Sequence, residues 1–338
     1  MISRMSHSSS VCPSLVPPMP SGVGGSVLRS RRSLLRSALP LLGLAPLSAR
    51  GEEAKHLRLF PHNQRTKFFH FYYMKETPMV QEMMRFADAF VRIIHRQFFT
   101  ADYAYPIQML VLENRERLEV YLRKEFKMKG PVPEFTMMFI PELNCFITEE
   151  GTGLGTITHN LAHPLVETNL PLHPVWATQG VSSFFEKFYG YWKGDELVLE
   201  FGFQNPWRLK AIGDELPNLN LRQILGYKDP LGRFSGSEQR LVAMFMWRHG
   251  KLKPMLKLIE KGIPPEGYQT WFEAAMGKQV ADIIPMWKTY LTEVAADRDN
   301  VTLPNSCVLP DEATYRQYAS LHKLDRRQEL PLPPEKQG

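Results

Sequence analysis

The hydrophobic pattern changes period several times along this chain, and each change marks an element. Phe68–Met74 (FFHFYYM) is a short aromatic run and predicts a strand. Pro78 then opens a stretch in which Met79, Met83, Phe86, Ala87, Phe90, Val91, Ile94 and Phe98 recur three or four residues apart, predicting an amphipathic helix. Ile107–Glu113 reads as a second strand, and Arg115–Phe126 as a short helix with Leu118, Tyr121 and Leu122 on one side. Gly130-Pro-Val-Pro133 breaks the chain. Phe135–Ile140 and Asn144–Thr148 follow as an antiparallel pair joined by a turn at Pro141-Glu-Leu143. The sum is a small mixed sheet with helices on one side.

Beyond Trp176 the periodicity is mostly helical, with helices expected over 175–189, 237–249, 252–261, 268–276 and 279–295. Pro206, Pro217, Pro230, Gly250 and Pro264-Pro265 separate them. From Asn300 the chain is polar and Pro-rich without an apolar period, which predicts a tail that packs loosely or stays disordered. No internal repeat is visible. The fold class is α+β, divided into a leader (1–50), an N-terminal α+β part (55–150), a helical part (151–295) and a tail (296–338).

With 43% hydrophobic and 22% charged residues among 338, the chain can bury a substantial core. The net charge of +6 is modest, and much of it lies in the leader at Arg29, Arg31, Arg32, Arg36 and Arg50. No nucleic-acid-binding motif accompanies it, so no nucleic-acid partner is expected. Ser30-Arg31-Arg32-Ser33-Leu34-Leu35-Arg36 and the apolar run through Leu47 resemble a bacterial twin-arginine export signal, with Ala49 placed for cleavage. That resemblance implies a periplasmic or extracellular protein that folds before crossing the membrane; the alternative is a disordered basic N-terminus. The apolar run is too short and too interrupted by Pro40 and Pro46 to span a bilayer. No later stretch approaches that length, so the mature form is not expected to span one. Of three cysteines, Cys12 lies in the leader; whether Cys145 and Cys307 pair is left open.

The candidate chemistry sits in residues 155–186. His159 and His163, four apart on a helix, project from one face and can reach one metal ion. Zinc hydrolases with this spacing carry a glutamate after the first histidine to deprotonate bound water. Asn160 occupies that position here. Thr158-His159-x-x-x-His163, Trp176-x-x-Gln179-Gly180, Phe184-Phe185-Glu186 and the closing Phe272–Gly277 and Trp287–Leu291 segments together resemble the peptidase-MA-like gluzincins of bacterial exported proteins, over roughly residues 55–295. The resemblance implies a zincin-like fold with the cleft between its two halves. It makes His159 and His163 the histidine ligands, Asn160 the occupant of the general-base position and Gln179 that of the third-ligand glutamate. Two carboxylates have thus become amides, which predicts a catalytically inactive homologue with no cofactor or only weakly bound zinc. An edge strand beside the metal helix (Phe135, Met137, Phe139) is implied to hold a peptide or protein ligand by strand addition.

Two further readings stay open: a zinc-dependent peptidase with an atypical base or third ligand, and a purely structural protein with a closed cleft. Glu167, four residues after His163, is the possible substitute ligand, although it lies about 12 Å along an ideal helix from His159. His173 is a more distant candidate, and Glu186 is expected in an outer shell or in solvent. Pro164 removes the N–H that the carbonyl of Asn160 would accept, so a kink or helix end is expected there. The histidines could also simply hydrogen-bond Gln179, Asn160 or backbone carbonyls without metal. Trp176, Phe184, Phe185 and Phe188 are expected in the core, as are Met83, Met84, Met137, Met138, Met244 and Met246. Lys251, Lys253, Lys257 and Lys261 should form a solvated helix face.

Overall fold

The computed structural model describes residues 57–99, 105–128, 137–169, 175–226, 236–260 and 268–324. The leader, Phe135, His173, Lys261 and the Pro264-Pro265 break lie outside them.

Five strands form the first sheet: β1 (His62–Arg65), β2 (Phe69–Tyr73), β3 (Ile107–Leu112), β4 (Met137–Ile140) and β5 (Cys145–Glu149), in the order β1-β2-β3-β5-β4. The central strands β2, β3 and β5 run parallel, and both edge strands are antiparallel to their neighbours. The connection from β2 to β3 is helix α1 (Pro78–Phe98). Thr77 caps it by accepting the amide of Val80, and Pro78 sits where its missing N–H costs nothing. Helix α2 (Arg115–Glu125) follows β3, capped by Asn114.

Strand alternation sends Phe69, Phe71, Met109, Val111, Met137 and Phe146 into the main core with α1, while Leu110, Leu112, Cys145 and Ile147 meet Leu118, Tyr121 and Leu122 of α2 on the other face. Helices therefore cover both faces of the sheet, not one. Ten residues alternate so cleanly that the sheet's two faces can be read from the sequence once its pairing is known.

Helix α3 (Leu154–Asn169) leaves the end of β5 and packs on α1 and β4; α4 (Val175–Phe184) packs on α3. The chain then departs from the expected helix over 175–189. Phe188–Lys193 (β6) and Glu196–Phe201 (β7) form an antiparallel hairpin, turned by Gly194 at φ +63°. Short helices α5 (Pro206–Ile212) and α6 (Leu221–Gly226) lead to α7 (Gly236–Arg248), which packs against α4. Gly180 makes that approach possible: a Cβ there would lie 2.5 Å from the carbonyl oxygen of Gln239. Helices α8 (Leu252–Glu260), α9 (Tyr268–Met276) and α10 (Val280–Asp297) close the core through Trp271, Phe272, Trp287 and Tyr290.

The tail reading is corrected up to Leu324. Cys307–Leu309 is a strand, β8, that adds in parallel to β6, and Glu312–His322 is a helix, α11, capped by Asp311. Tyr315, Ala319 and Leu324 are buried. The lysine face is corrected too: Lys257 is exposed, but Lys253 is half-buried with its Nζ 4.8 Å from the Phe98 ring. Trp176, Phe184, Phe185 and Phe188 are fully buried, as expected. Cys145 and Cys307 are both free thiols.

Candidate functional site: a histidine pair held by a buried carboxylate

The pair stands on α3, whose first turns are fixed to the end of α4. Gly155 lies against the Glu186 carbonyl, where a Cβ would be 2.7 Å from the oxygen. Thr158 Oγ1 donates to the Phe185 carbonyl at 2.9 Å. Two other side chains take carbonyls of the same segment: Arg240 Nε donates to Ser183 at 2.9 Å, and Ser306 Oγ donates to Glu186 at 2.7 Å. The carbonyls left unpaired where α4 ends are thereby satisfied, and residues 183–186 are held from three directions.

His159 and His163 face each other, ring centroids 4.8 Å apart and Nε2 atoms 3.0 Å apart. Pro164 does not end the helix, which continues through it to Asn169. One missing hydrogen bond is tolerated because Pro164, Leu165 and Val166 are buried against the core. The rings consequently stay together.

His159 Nδ1 lies 2.8 Å from Glu186 Oε1, with Ser183 Oγ more distant at 3.5 Å. Burial depresses the His159 pKa to about 4 despite the neighbouring carboxylate, so the ring is neutral at pH 7. Its Nδ1–H donates to Glu186, leaving Nε2 to accept the N–H of His163. Glu186 is buried, which by itself raises a carboxyl pKa, yet the Arg208 guanidinium and the hydrogen bonds from His159 and Arg208 outweigh burial and hold it near 2. Arg208 binds both oxygens of Glu186, with Nε 2.7 Å from Oε2 and NH2 against Oε1. Asn205 Nδ2 completes the shell at 3.2 Å. Glu186, expected in an outer shell or in solvent, is thus the centre of the arrangement. Asn205 and Arg208 had no sequence signal at all, because they reach it from α5, beyond a hairpin that the apolar pattern did not reveal.

Asn160 turns its Nδ2 back onto the Thr156 carbonyl, 2.9 Å away within its own helix. Gln179 is half-buried on α4. Glu167 approaches His163 on the Nδ1 side, at 3.6 Å, away from the facing Nε2 atoms. Each imidazole therefore has an acid neighbour, but neither acid stands on the side where the two rings meet. Met137 is buried and Phe139 half-buried on β4, the outer strand beside α3, with the Phe139 ring 4.7 Å from Phe146.

Two converging imidazole nitrogens, one ring oriented by a carboxylate, are half of a zinc site. The rest of the donor set does not fit. Both first positions are neutral, Gln179 would add another neutral donor, and among the described residues no third histidine, cysteine or carboxylate stands where the two Nε2 atoms converge, both acids lying on the Nδ1 sides. A catalytic zinc would lack both its anionic ligand and the base for its water. No family model matches this chain, and no curated protein matches it either.

Proposed function

We propose that this chain is an exported, catalytically inactive relative of the gluzincin metallopeptidases that binds a peptide or protein segment along β4. The observation that carries the reading is the state of Asn160: the position that needs a proton acceptor holds an amide whose N–H is already spent on its own helix. The parallel sheet with an antiparallel edge strand next to the histidine helix supports the zincin-like part of the proposal. On this reading zinc, if taken up at all, is held weakly by His159 and His163. A bound segment would extend the sheet by pairing with the edge of β4 away from β5, the outermost strand of the sheet among the described residues.

A second reading, a zinc peptidase with unusual ligands, is favoured by one observation: the 3.0 Å approach of the two Nε2 atoms, the kind of spacing that ligation to one ion requires. One experiment separates the two. Fluorescently labelled extended peptides are presented to the full chain with and without added zinc, and both anisotropy and cleavage are followed. Binding without cleavage, weakened about tenfold by Phe139→Ser, is expected. Zinc-dependent cleavage by the unaltered chain would establish the second reading instead.

A further inference from the structure

A metal ion in a site of this kind does more than chemistry: it supplies the positive charge around which buried acids and imidazoles are arranged. Here that charge has another source. Glu186 is the carboxylate that holds His159, and the guanidinium of Arg208 meets both of its oxygens in a two-pronged contact. One carboxylate and one guanidinium in two-pronged contact balance to zero, and the amides Asn160 and Gln179 add no charge. A divalent cation between the rings would find no carboxylate among the described residues on the side where they meet, since Glu167 stands on the Nδ1 side of His163.

We infer that the chain carries its own structural cation: Arg208 replaces a metal as the permanent counter-charge of Glu186, and through Glu186 it positions the histidine pair. The surroundings of Arg208 fit that role. Its side chain is only 12% exposed, although arginine is seldom buried without a partner. Gly236 leaves it room, since a Cβ at that position would lie 2.9 Å from one terminal nitrogen. The Trp207 indole stacks on it, 4.3 Å from the guanidinium carbon to the ring centre. Arg208 on α5, Glu186 after α4 and His159 on α3 thus join three helices through one carboxylate, a cross-link of the sort a metal would otherwise provide. Lysine could not reproduce it, because a point charge cannot hold both oxygens in one plane. The inference rests on the geometry about Glu186 and stands whether or not β4 binds a peptide.

The test is thermal unfolding of the full chain with chelator, with added zinc, and in three variants. Neither EDTA nor zinc should move the Tm of the unaltered protein. Arg208→Met should lower it by about 5–10 °C, because it strands a buried carboxylate, and Arg208→Lys should recover only part of that loss. The double variant Glu186→Gln with Arg208→Met should melt well above Arg208→Met alone, since no unpaired charge remains, and this comparison holds even if the single variant fails to fold. A chelator-sensitive Tm in the unaltered protein would overturn the inference. So would a double variant no more stable than Arg208→Met, which would make the guanidinium a space-filler and not a counter-charge.

Discussion

At the scale of single residues, function and stability meet where backbones approach too closely for a side chain. Gly155 and Gly180 are where helices touch backbone to backbone, against Glu186 and Gln239. Neither has the positive φ that requires glycine for conformational reasons, so the demand is purely for space. Gly155→Ala should cost about 1–3 kcal/mol by forcing α3 away from Glu186. Denaturant unfolding would register it as a lower midpoint at unchanged slope. Lys187, the next residue after Glu186, is buried and donates to the Pro304 carbonyl; burial and the charge of Arg240 lower its pKa to about 8. With the folded pKa below the unfolded value of 10.5, the unfolded chain binds more protons between those limits. Stability is therefore lost as pH falls toward 8 and rises as pH climbs above it. Tyr189 and Tyr318, raised by burial, act the opposite way only above pH 10. Between pH 7.5 and 9.5 Lys187 should contribute a gain of about 2 kcal/mol, offset in part above pH 9 by Cys307, whose thiol burial pushes up, and Lys187→Met should abolish the gain. A flat profile in the unaltered chain would remove the buried-lysine explanation.

At the scale of elements, what the sequence disclosed depended on how many faces each element buries. Helix α1 carries one apolar stripe, and its start at Pro78 and end at Phe98 were legible. Strands β2, β3 and β5 were legible because they are short, apolar and bounded by turns. The hairpin was not. Phe188, Tyr189, Gly190 and Trp192 of β6 are all buried, so the strand lacks alternation and its aromatic run continues that of α4. Strand β8 has three half-buried residues inside a polar, Pro-rich stretch and gains its identity only from pairing with β6. Yet that segment matters to the site: Ser306 Oγ accepts from the Phe188 amide and donates to the Glu186 carbonyl. Ser306→Ala leaves both unpaired and should cost about 1–3 kcal/mol, with faster amide hydrogen exchange in β6 as its local signature. Unchanged exchange there would mean that the β8 segment merely rests on the fold.

At the scale of the whole molecule, a mixed five-stranded sheet covered on both faces, a histidine helix and a helical second half enclose one continuous main core. Among the described residues no helix is long and apolar enough to cross a membrane. The sequence disclosed the histidine pair because its two members are spaced along a single helix. It could not disclose Glu186 and Arg208 as partners, since 22 residues and a hairpin separate them. At Pro164 the local rule allows a kink or a helix end, and burial of the surrounding turn goes with a helix that does not end there. The proposed inactivity turns on reading Asn160 and Gln179 as amides in positions where a gluzincin carries acids. Its most direct test is zinc stoichiometry and peptide hydrolysis in the unaltered protein and in Asn160→Glu combined with Gln179→Glu. The account predicts substoichiometric zinc and no turnover in the former, with one zinc per chain and at least about 10²-fold faster hydrolysis in the latter. One zinc per unaltered chain together with peptide cleavage would contradict it.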